Sequence, residues 1–438
     1  MTQKNHSYRK IFAIALPMIA SAISVPLLGI VDTAILGHLD SPQYLAAINV
    51  ATTIFNMLFW GFGFLKMSTT GLIAQSYGKG NFKQSDLQLS QALGIALFIS
   101  IVIIALKYPI AKFSLFSLDA EPNISHLTLE YYHIRIFSAP ATLMIYVFMG
   151  YFLAISQAKK VLSIMLVNQV GNMLFDYLLV IQFPLGMAGV AFGSLLSEYL
   201  ALLLAFYYLA QSSYKVPKLS VFYHWLTNTS DLKQFFALNR DIFIRTLCLM
   251  LVFALMTKGS SRLGEITLAA NAVLLNFFYF MSYATDGFAH AVESLCGQAY
   301  GRGDKKGLVL VVNRVFIIAL TLASLFSLVY LVFGEEIVRL LTSLKEVQNY
   351  ASQYLLWLAI IPMVATASFV YDGVFVATTQ GKIMRNSMLL ATFFAYLPLW
   401  YLLQTYENHG LWLAFLGFFI VRTTTVHVYF KLWIKTWK

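Results

Sequence analysis

Apolar stretches long enough to cross a bilayer recur from one end of this chain to the other, at 11-37, 44-72, 88-107, 128-157, 161-183, 187-211, 239-263, 267-298, 309-334, 347-378, 384-404 and 408-434. A backbone inside lipid has no water to satisfy its N–H and C=O groups, so only helices and closed barrels survive there. Runs of 20 to 30 residues without strict alternation select helices, since barrel strands are short and alternate in polarity. The composition agrees: 59% of the 438 residues are hydrophobic and only 11% are charged. The expected fold class is therefore an all-α integral membrane protein of about twelve transmembrane helices.

The net charge of +11 describes topology rather than a nucleic-acid partner. Lys4, Arg9 and Lys10 precede the first span, Lys79 and Lys83 follow the second, and Lys159 and Lys160 follow the fourth. Lys215, Lys218, Lys233, Arg302, Lys305, Lys306, Lys382, Arg385, Lys431, Lys435 and Lys438 continue the alternation on one side of the membrane. The opposite loops carry His38, Asp40, Asp119, Glu121, Glu335, Glu336 and Glu407. The positive-inside rule places both termini in the cytoplasm. MTQKNHSYRK is basic, and no small-residue cleavage pattern follows it, so the first span is expected to be retained.

An internal repeat organises the chain. GLIAQSYGKGN from Gly71 is echoed by SLCGQAYGRGD from Ser294, and LAAINV from Leu45 by LAANAV from Leu268. Gln157 matches Gln380, and Lys159 matches Lys382; every pair is offset by 223, as in 301 − 78 for Gly78 and Gly301. Each half holds an even number of spans, so both copies enter the membrane in the same sense. The division expected is a six-helix lobe over 1-211, a cytoplasmic connector over 212-238 and a second six-helix lobe over 239-438.

Polar residues inside such spans are costly and mark function by default. Asp32 lies about 8 Å below the end of the first span, where an ionised carboxylate costs about 2.5 to 3.5 kcal/mol. Pro17 and Pro26 remove backbone donors from the same helix and mark its kinks. In the fifth span Asn168, Asn172 and Asp176 recur at i, i+4 and i+8, two amides and a carboxylate on one face. Asp32 and Asp176 fall at similar depths; two acids close together in low dielectric cannot both stay ionised cheaply, so one takes a proton or both share a cation. A polar seam that only joins helices fits the same residues. Ser194, Ser197, Tyr131 and Tyr132 are additional ligand or gate candidates, although Ser also packs helices closely and Tyr belongs to interfacial belts, so the structural reading of each is the favoured one, and Lys66 either snorkels or faces a cavity.

The second half has no acid at the counterpart of Asp32. It carries Arg240, Asp241 and Arg245 at the start of the seventh span, Asp286 and His290 in the eighth and Asp372 in the tenth. Arg245 is expected to pair with Asp286 or Asp372, which shields the charges from lipid. Cys248 and Cys296 both lie in spans and support neither a disulfide framework nor a metal cluster. No phosphate-cradling loop with a following Lys and Ser or Thr is present, which argues against an ATP-driven pump. No reading as an enzyme, and no cofactor, is supported.

LPMI, VDTAILGHL, MSTTGLIAQSYG, LNRDI and DGFAHAVESLCGQAYG, in that order, resemble the multidrug and toxic compound extrusion (MATE) family, most closely its bacterial DinF branch. The resemblance implies two six-helix pseudo-symmetric lobes around a central cavity. It also implies a secondary antiporter of the bacterial inner membrane that exports organic, cationic or amphipathic compounds against inward H+ or Na+. The family's cation site maps onto Asp32, Asn172 and Asp176, where Na+ is the one metal to be expected. Pro17 resembles a proline whose kinking couples protonation to cavity shape, with Pro26 as the alternative. Partners are then a small organic substrate and membrane lipid, for a chain acting as a monomer. A lipid-intermediate flippase of the wider superfamily is the competing function, disfavoured by the few candidate cavity cations, Lys66 and Arg245.

Overall fold

Helices account for nearly all of the computed structural model, which describes residues 7–36, 42–118, 122–212, 214 and 229–437. The helices are α1 (Tyr8–Leu36), α2 (Pro42–Gly61), α3 (Phe64–Gly78), α4 (Phe82–Ala105), α5 (Lys107–Ser117), α6 (Pro122–Arg135), α7 (Ala139–Ala154), α8 (Ala158–Asp176) and α9 (Gly186–Ala210). They continue as α10 (Thr229–Arg262), α11 (Glu265–Gly301), α12 (Lys305–Leu341), α13 (Lys345–Ser352), α14 (Leu355–Ala377), α15 (Gly381–Leu389), α16 (Leu397–Leu402) and α17 (Glu407–Thr436). Among the described residues ten helical stretches are long and apolar enough to cross a membrane. The other two expected spans correspond to α1 and to the run of α15, a wide turn over Leu390–Tyr396, and α16.

Several expected spans are not single regular helices, and in two of them, both in the N-terminal half, the breaks have clear local causes. The span placed at 44-72 is α2 followed by α3, interrupted at Phe62 and Gly63. There the N–H of Phe62 bonds the Phe59 carbonyl at 2.9 Å and that of Gly63 bonds Trp60 at 3.1 Å, three residues back instead of four. Glycines at 61 and 63 weaken the helix at that point. The span placed at 128-157 is α6 and α7 with a tight turn at Ile136–Ser138 between them. Pro140 follows at the start of α7, where its missing N–H costs nothing because the first turn has no intrahelical acceptor for it. Arg135 closes α6 and therefore sits at a break rather than in mid-helix.

The chain divides into two compact units. One comprises Ala20–Thr229; the other joins Ser230–Lys438 to the start of α1, through Ile19. That differs from the division expected at 211 and 239 chiefly in giving the first turns of α1 to the C-terminal unit. In that unit the backbone of Ala15 lies where a Cβ on Gly287 of α11 would be, at 2.9 Å. The Phe12 and Phe288 rings meet edge to face at 5.7 Å.

The offset of 223 reappears in backbone geometry. Gly80 and Gly303 (303 − 80 = 223) take φ of 73° and 72°, and Ser156 and Thr379 (379 − 156 = 223) take 61° and 56°. After each helix end the chain closes with the same bonds: Gln157 N–H to Phe152 O at 2.7 Å, and Gln380 N–H to Phe375 O at 2.8 Å. Next come matching caps, with Asn81 accepting from the Gln84 N–H at 3.2 Å and Asp304 from the Gly307 N–H at 2.8 Å. Gly150 and Gly373 (373 − 150 = 223) bring α7 onto α3 and α14 onto α11. A Cβ at either would lie 2.6 Å from a backbone oxygen, of Lys66 or of Ala289. The two halves are therefore built on one helix-pair design. The C-terminal core mixes aliphatic and aromatic side chains, with Trp412, Phe415, Phe418 and Tyr396 fully buried among Val252, Met256 and Leu274.

Candidate functional site

In the N-terminal unit the polar residues of α8 meet those of α6, α7 and α9. Asp176 ends α8 and is 1% exposed; Asn172, one turn earlier, is 4% exposed. Beyond Asp176 the helix widens into a π turn over Tyr177–Gln182, a distortion frequent at functional sites. α9 returns antiparallel, and two glycines let it come close. Gly171 faces Ser197, 3.5 Å from its Cβ position, and the Asp176 carboxylate occupies the space a Cβ on Gly193 would need. Asn168 lies two turns from Asp176 and is half-buried.

Ser194 is the hub. Its Oγ accepts from Asn172 Nδ2 at 3.2 Å and from Arg135 Nη1 at 3.0 Å, and it faces the Tyr131 hydroxyl at 3.5 Å. Arg135 Nη1 also donates to the Tyr131 hydroxyl, and Nη2 donates to Glu198 Oε1 at 3.2 Å. The other oxygen of Glu198 accepts from Thr142 Oγ1. The guanidinium sits over the rings of Phe55 and Tyr131, 5.3 and 5.6 Å from their centroids. Ser197 donates to the Ser194 carbonyl at 2.9 Å, and Tyr132 to the Lys107 carbonyl at 2.9 Å, which makes both of them supports of the backbone. A buried ion pair of this kind is held by its geometry and by the hydrogen bonds on its remaining atoms.

Of the residues singled out in the sequence, Asn172, Ser194 and Tyr131 are joined by these contacts, with Asp176 packed beside them against Gly193. The side chains of Asp32 and Pro26 lie outside the described residues. Pro17 is half-buried in α1. Arg135 and Glu198 were not among the sequence candidates. Their signal is present in HIRIF and LLSEYL, one full charge in each mostly apolar run.

The C-terminal unit holds a second charged group. Asp372 accepts from Arg245 Nη2 at 2.6 Å and from Arg422 Nη2. Arg422 is 2% exposed and lies over the Phe369 and Phe419 rings. Asp286, one of the two expected partners of Arg245, is half-buried and within electrostatic reach of Arg422. Asp241 accepts from Arg385 Nη1 at 2.7 Å and from Arg240 Nη2 at 3.2 Å. His290 pairs with Glu293 at 3.1 Å. Arg422 too escaped the sequence candidates, although it is a lone charge in FFIVRTTTV.

The MatE family model matches this chain twice, over residues 17–178 and 242–402. The chain belongs to the MATE family. The two matched segments reproduce the internal repeat, one in each half. Among relatives, the chain is 37% identical to DNA damage-inducible protein F of Escherichia coli, over 99% of this chain and 93% of that protein. It is 26% identical to the multidrug resistance protein NorM of Vibrio cholerae, over 94% of this chain and 93% of that protein. A MATE crystal structure in a bent conformation superposes with a TM-score of 0.90 at 17% identity, covering 100% of this chain and 98% of that one. An outward-facing multidrug resistance MATE family transporter superposes with a TM-score of 0.89 at 17% identity, covering 98% and 96%. The MATE assignment and the all-helical membrane fold expected from the motifs are thereby established. As a member of a transporter family, this multi-pass membrane protein is not an enzyme.

Proposed function

We propose that this MATE protein is a secondary antiporter of the bacterial inner membrane that exports organic, cationic or amphipathic compounds in exchange for H+ or Na+. The observation that carries the reading is the Asp176 carboxylate, 1% exposed within the span 158–182. It packs against Gly193, next to Ser194, whose hydroxyl holds the Asn172 amide and the Arg135 guanidinium. A carboxylate kept inside a membrane helix is expensive, and such groups serve as ion or proton sites. Asp32 and Asn168 are proposed as its partners on sequence grounds, with a bend of α1 at Pro17 or Pro26 answering to the state of the site. The names of relatives such as NorM support the substrate class.

The coupling reading has simple energetics. Each charge carried down a potential of 100 mV releases about 2.3 kcal/mol, so one or two ions support a useful substrate gradient. Both termini are assigned to the cytoplasm by the distribution of Lys and Arg, and one chain is taken as the working unit. The Arg245–Asp372–Arg422 group of the C-terminal unit is read as a brace, since Asp372 is directly bonded to both guanidinium groups.

Purified protein in proteoliposomes, with pH and Na+ gradients imposed separately, tests the reading. Efflux of ethidium driven by one of the two gradients, and abolished by Asp176→Asn, is the expected result. Ethidium movement that is indifferent to both gradients would overturn it.

A further inference from the structure

Where the spans of α10 and α17 reach the membrane surface, the C-terminal unit holds a cavity of about 180 Å³ that the antiport reading does not use. Arg262, the last residue of α10, and Glu407, the first of α17, both line it. Trp400 of α16 and Gln404 of the following turn line it as well. Among the described residues the side chains of Arg262, Gln404 and Glu407 form no hydrogen bond or ion pair, so a cation, an amide and an anion border one space uncommitted. Glu407 also takes φ of 48° with ψ of −127°, a strained conformation of the kind that clusters at ligand sites.

The walls of this cavity are fixed from behind by a buried polar group. Asn271 and Asn408 exchange side-chain hydrogen bonds at 2.7 and 3.1 Å, and Asn271 also donates to Ser260 Oγ at 2.7 Å and accepts from Trp412 Nε1 at 3.0 Å, all four residues being buried. Ser260 and Asn408 directly follow two lining residues, Gly259 and Glu407. A Cβ at Gly259 would lie 3.1 Å from Trp400 Nε1, and one at Gly410 would overlap the Leu403 carbonyl, so only bare backbone lets these segments close on one another. Beside the opening Leu263, Tyr401 and Leu402 are exposed, an apolar and aromatic margin of the kind found at membrane interfaces.

We infer that this cavity is a lipid site that takes the phosphoethanolamine headgroup of a phospholipid. The inference does not rest on the antiport reading. One charge of each sign in one small space matches a zwitterion. The headgroup phosphate accepts from the Arg262 guanidinium and the Trp400 indole N–H, while the primary ammonium donates to the Glu407 carboxylate and the Gln404 side-chain oxygen. The acyl chains then lie outside, over Leu263 and Leu402. A headgroup that is only anionic satisfies Arg262 but is repelled by Glu407, and a trimethylammonium group has the charge without an N–H to donate. The volume is below the range of about 300–1,000 Å³ of pockets for drug-sized compounds, which sets this site apart from one for exported substrate.

Native mass spectrometry of the full chain, delipidated in detergent, tests this with phosphatidylethanolamine, phosphatidylcholine, phosphatidylglycerol and free phosphoethanolamine. Wild type is expected to bind phosphatidylethanolamine about tenfold more tightly than the other three, the difference that one charge-assisted hydrogen bond supplies. Glu407→Gln is expected to lose the preference over phosphatidylcholine. Arg262→Gln is expected to weaken both zwitterionic lipids about tenfold and to keep that preference. Gln404→Leu removes one acceptor and no charge, and a smaller loss of the preference is expected. All three side chains are exposed, and a thermal melt of each variant checks that the fold is kept. Equal affinity of wild type for the three lipids, or a preference unchanged in Glu407→Gln, would overturn the inference. Phosphatidylglycerol bound as tightly as phosphatidylethanolamine would reveal simple attraction of anions to Arg262, and free phosphoethanolamine bound as tightly as the lipid would reveal a site for a soluble ligand; either result overturns it as well.

Discussion

Gly193 presents its bare Cα to the carboxylate of Asp176: a methyl group added there would overlap Oδ1. The neighbour that must yield is the charged end of the side chain assigned to ion coupling, because the backbone N–H of Asp176, 3.2 Å from the same point, is fixed by its helix. Gly193→Ala is therefore expected to turn the carboxylate out of its rotamer at a cost of about 1 kcal/mol. Gradient-driven efflux should fall roughly tenfold for each 1.4 kcal/mol of misplacement, with little change in melting temperature. Efflux assays beside a thermal melt check this; wild-type efflux would show that the carboxylate position is not critical.

In the C-terminal unit Asp372 is directly bonded to both Arg245 and Arg422. Asp372→Asn leaves two guanidinium groups facing an amide, and the expected loss is about 3–5 kcal/mol, the range for breaking a buried pair by removing one partner. Arg422→Met leaves the neutral Arg245–Asp372 pair and fills much of the vacated volume, so it should cost distinctly less. Melting in detergent ranks the two variants; the reverse order would mean that packing over Phe369 and Phe419 outweighs charge.

Ser156 and Thr379 adopt φ of 61° and 56°, a conformation that costs an L residue roughly 1–2 kcal/mol. Each terminates a helix with the bonding pattern that glycine usually serves. Glycine at either position should raise stability, more at Thr379 because branching at Cβ adds strain, less by the loss of the Thr379 Oγ1 bond to the Thr378 carbonyl. Thermal melts of Ser156→Gly and Thr379→Gly decide it. A fall in stability in both would mean that unfolded-chain entropy dominates.

α12 runs from Lys305 to Leu341, 37 residues, or about 55 Å at 1.5 Å per residue. Lys306 and Glu336 are both exposed on it and thus belong on opposite sides of the membrane. Cysteines introduced at the two positions should differ in labelling by an impermeant maleimide on intact cells, Glu336→Cys reacting and Lys306→Cys protected until the membrane is opened. The native Cys248 and Cys296 are buried and add little background. Labelling of Lys306→Cys alone would invert the assigned topology.

The membrane class, the helical period and the duplication follow from one-dimensional patterns. Spans must exceed the bilayer thickness, and the repeat at Gly80 and Gly303 or Asn81 and Asp304 encodes local turns that each segment forms by itself. Asn172 and Asp176 were likewise visible, because i, i+4 spacing on one helix is a local property. The partners of such residues are not local. Arg135 meets Glu198 across 63 positions, and Arg422 meets Asp372 across 50. Nothing in HIRIF or FFIVRTTTV says which distant acid will compensate its charge. Only the packing of α6 on α9, and of α14 on α17, chooses among the candidates, since a buried charge is tolerated where folding brings it an opposite one.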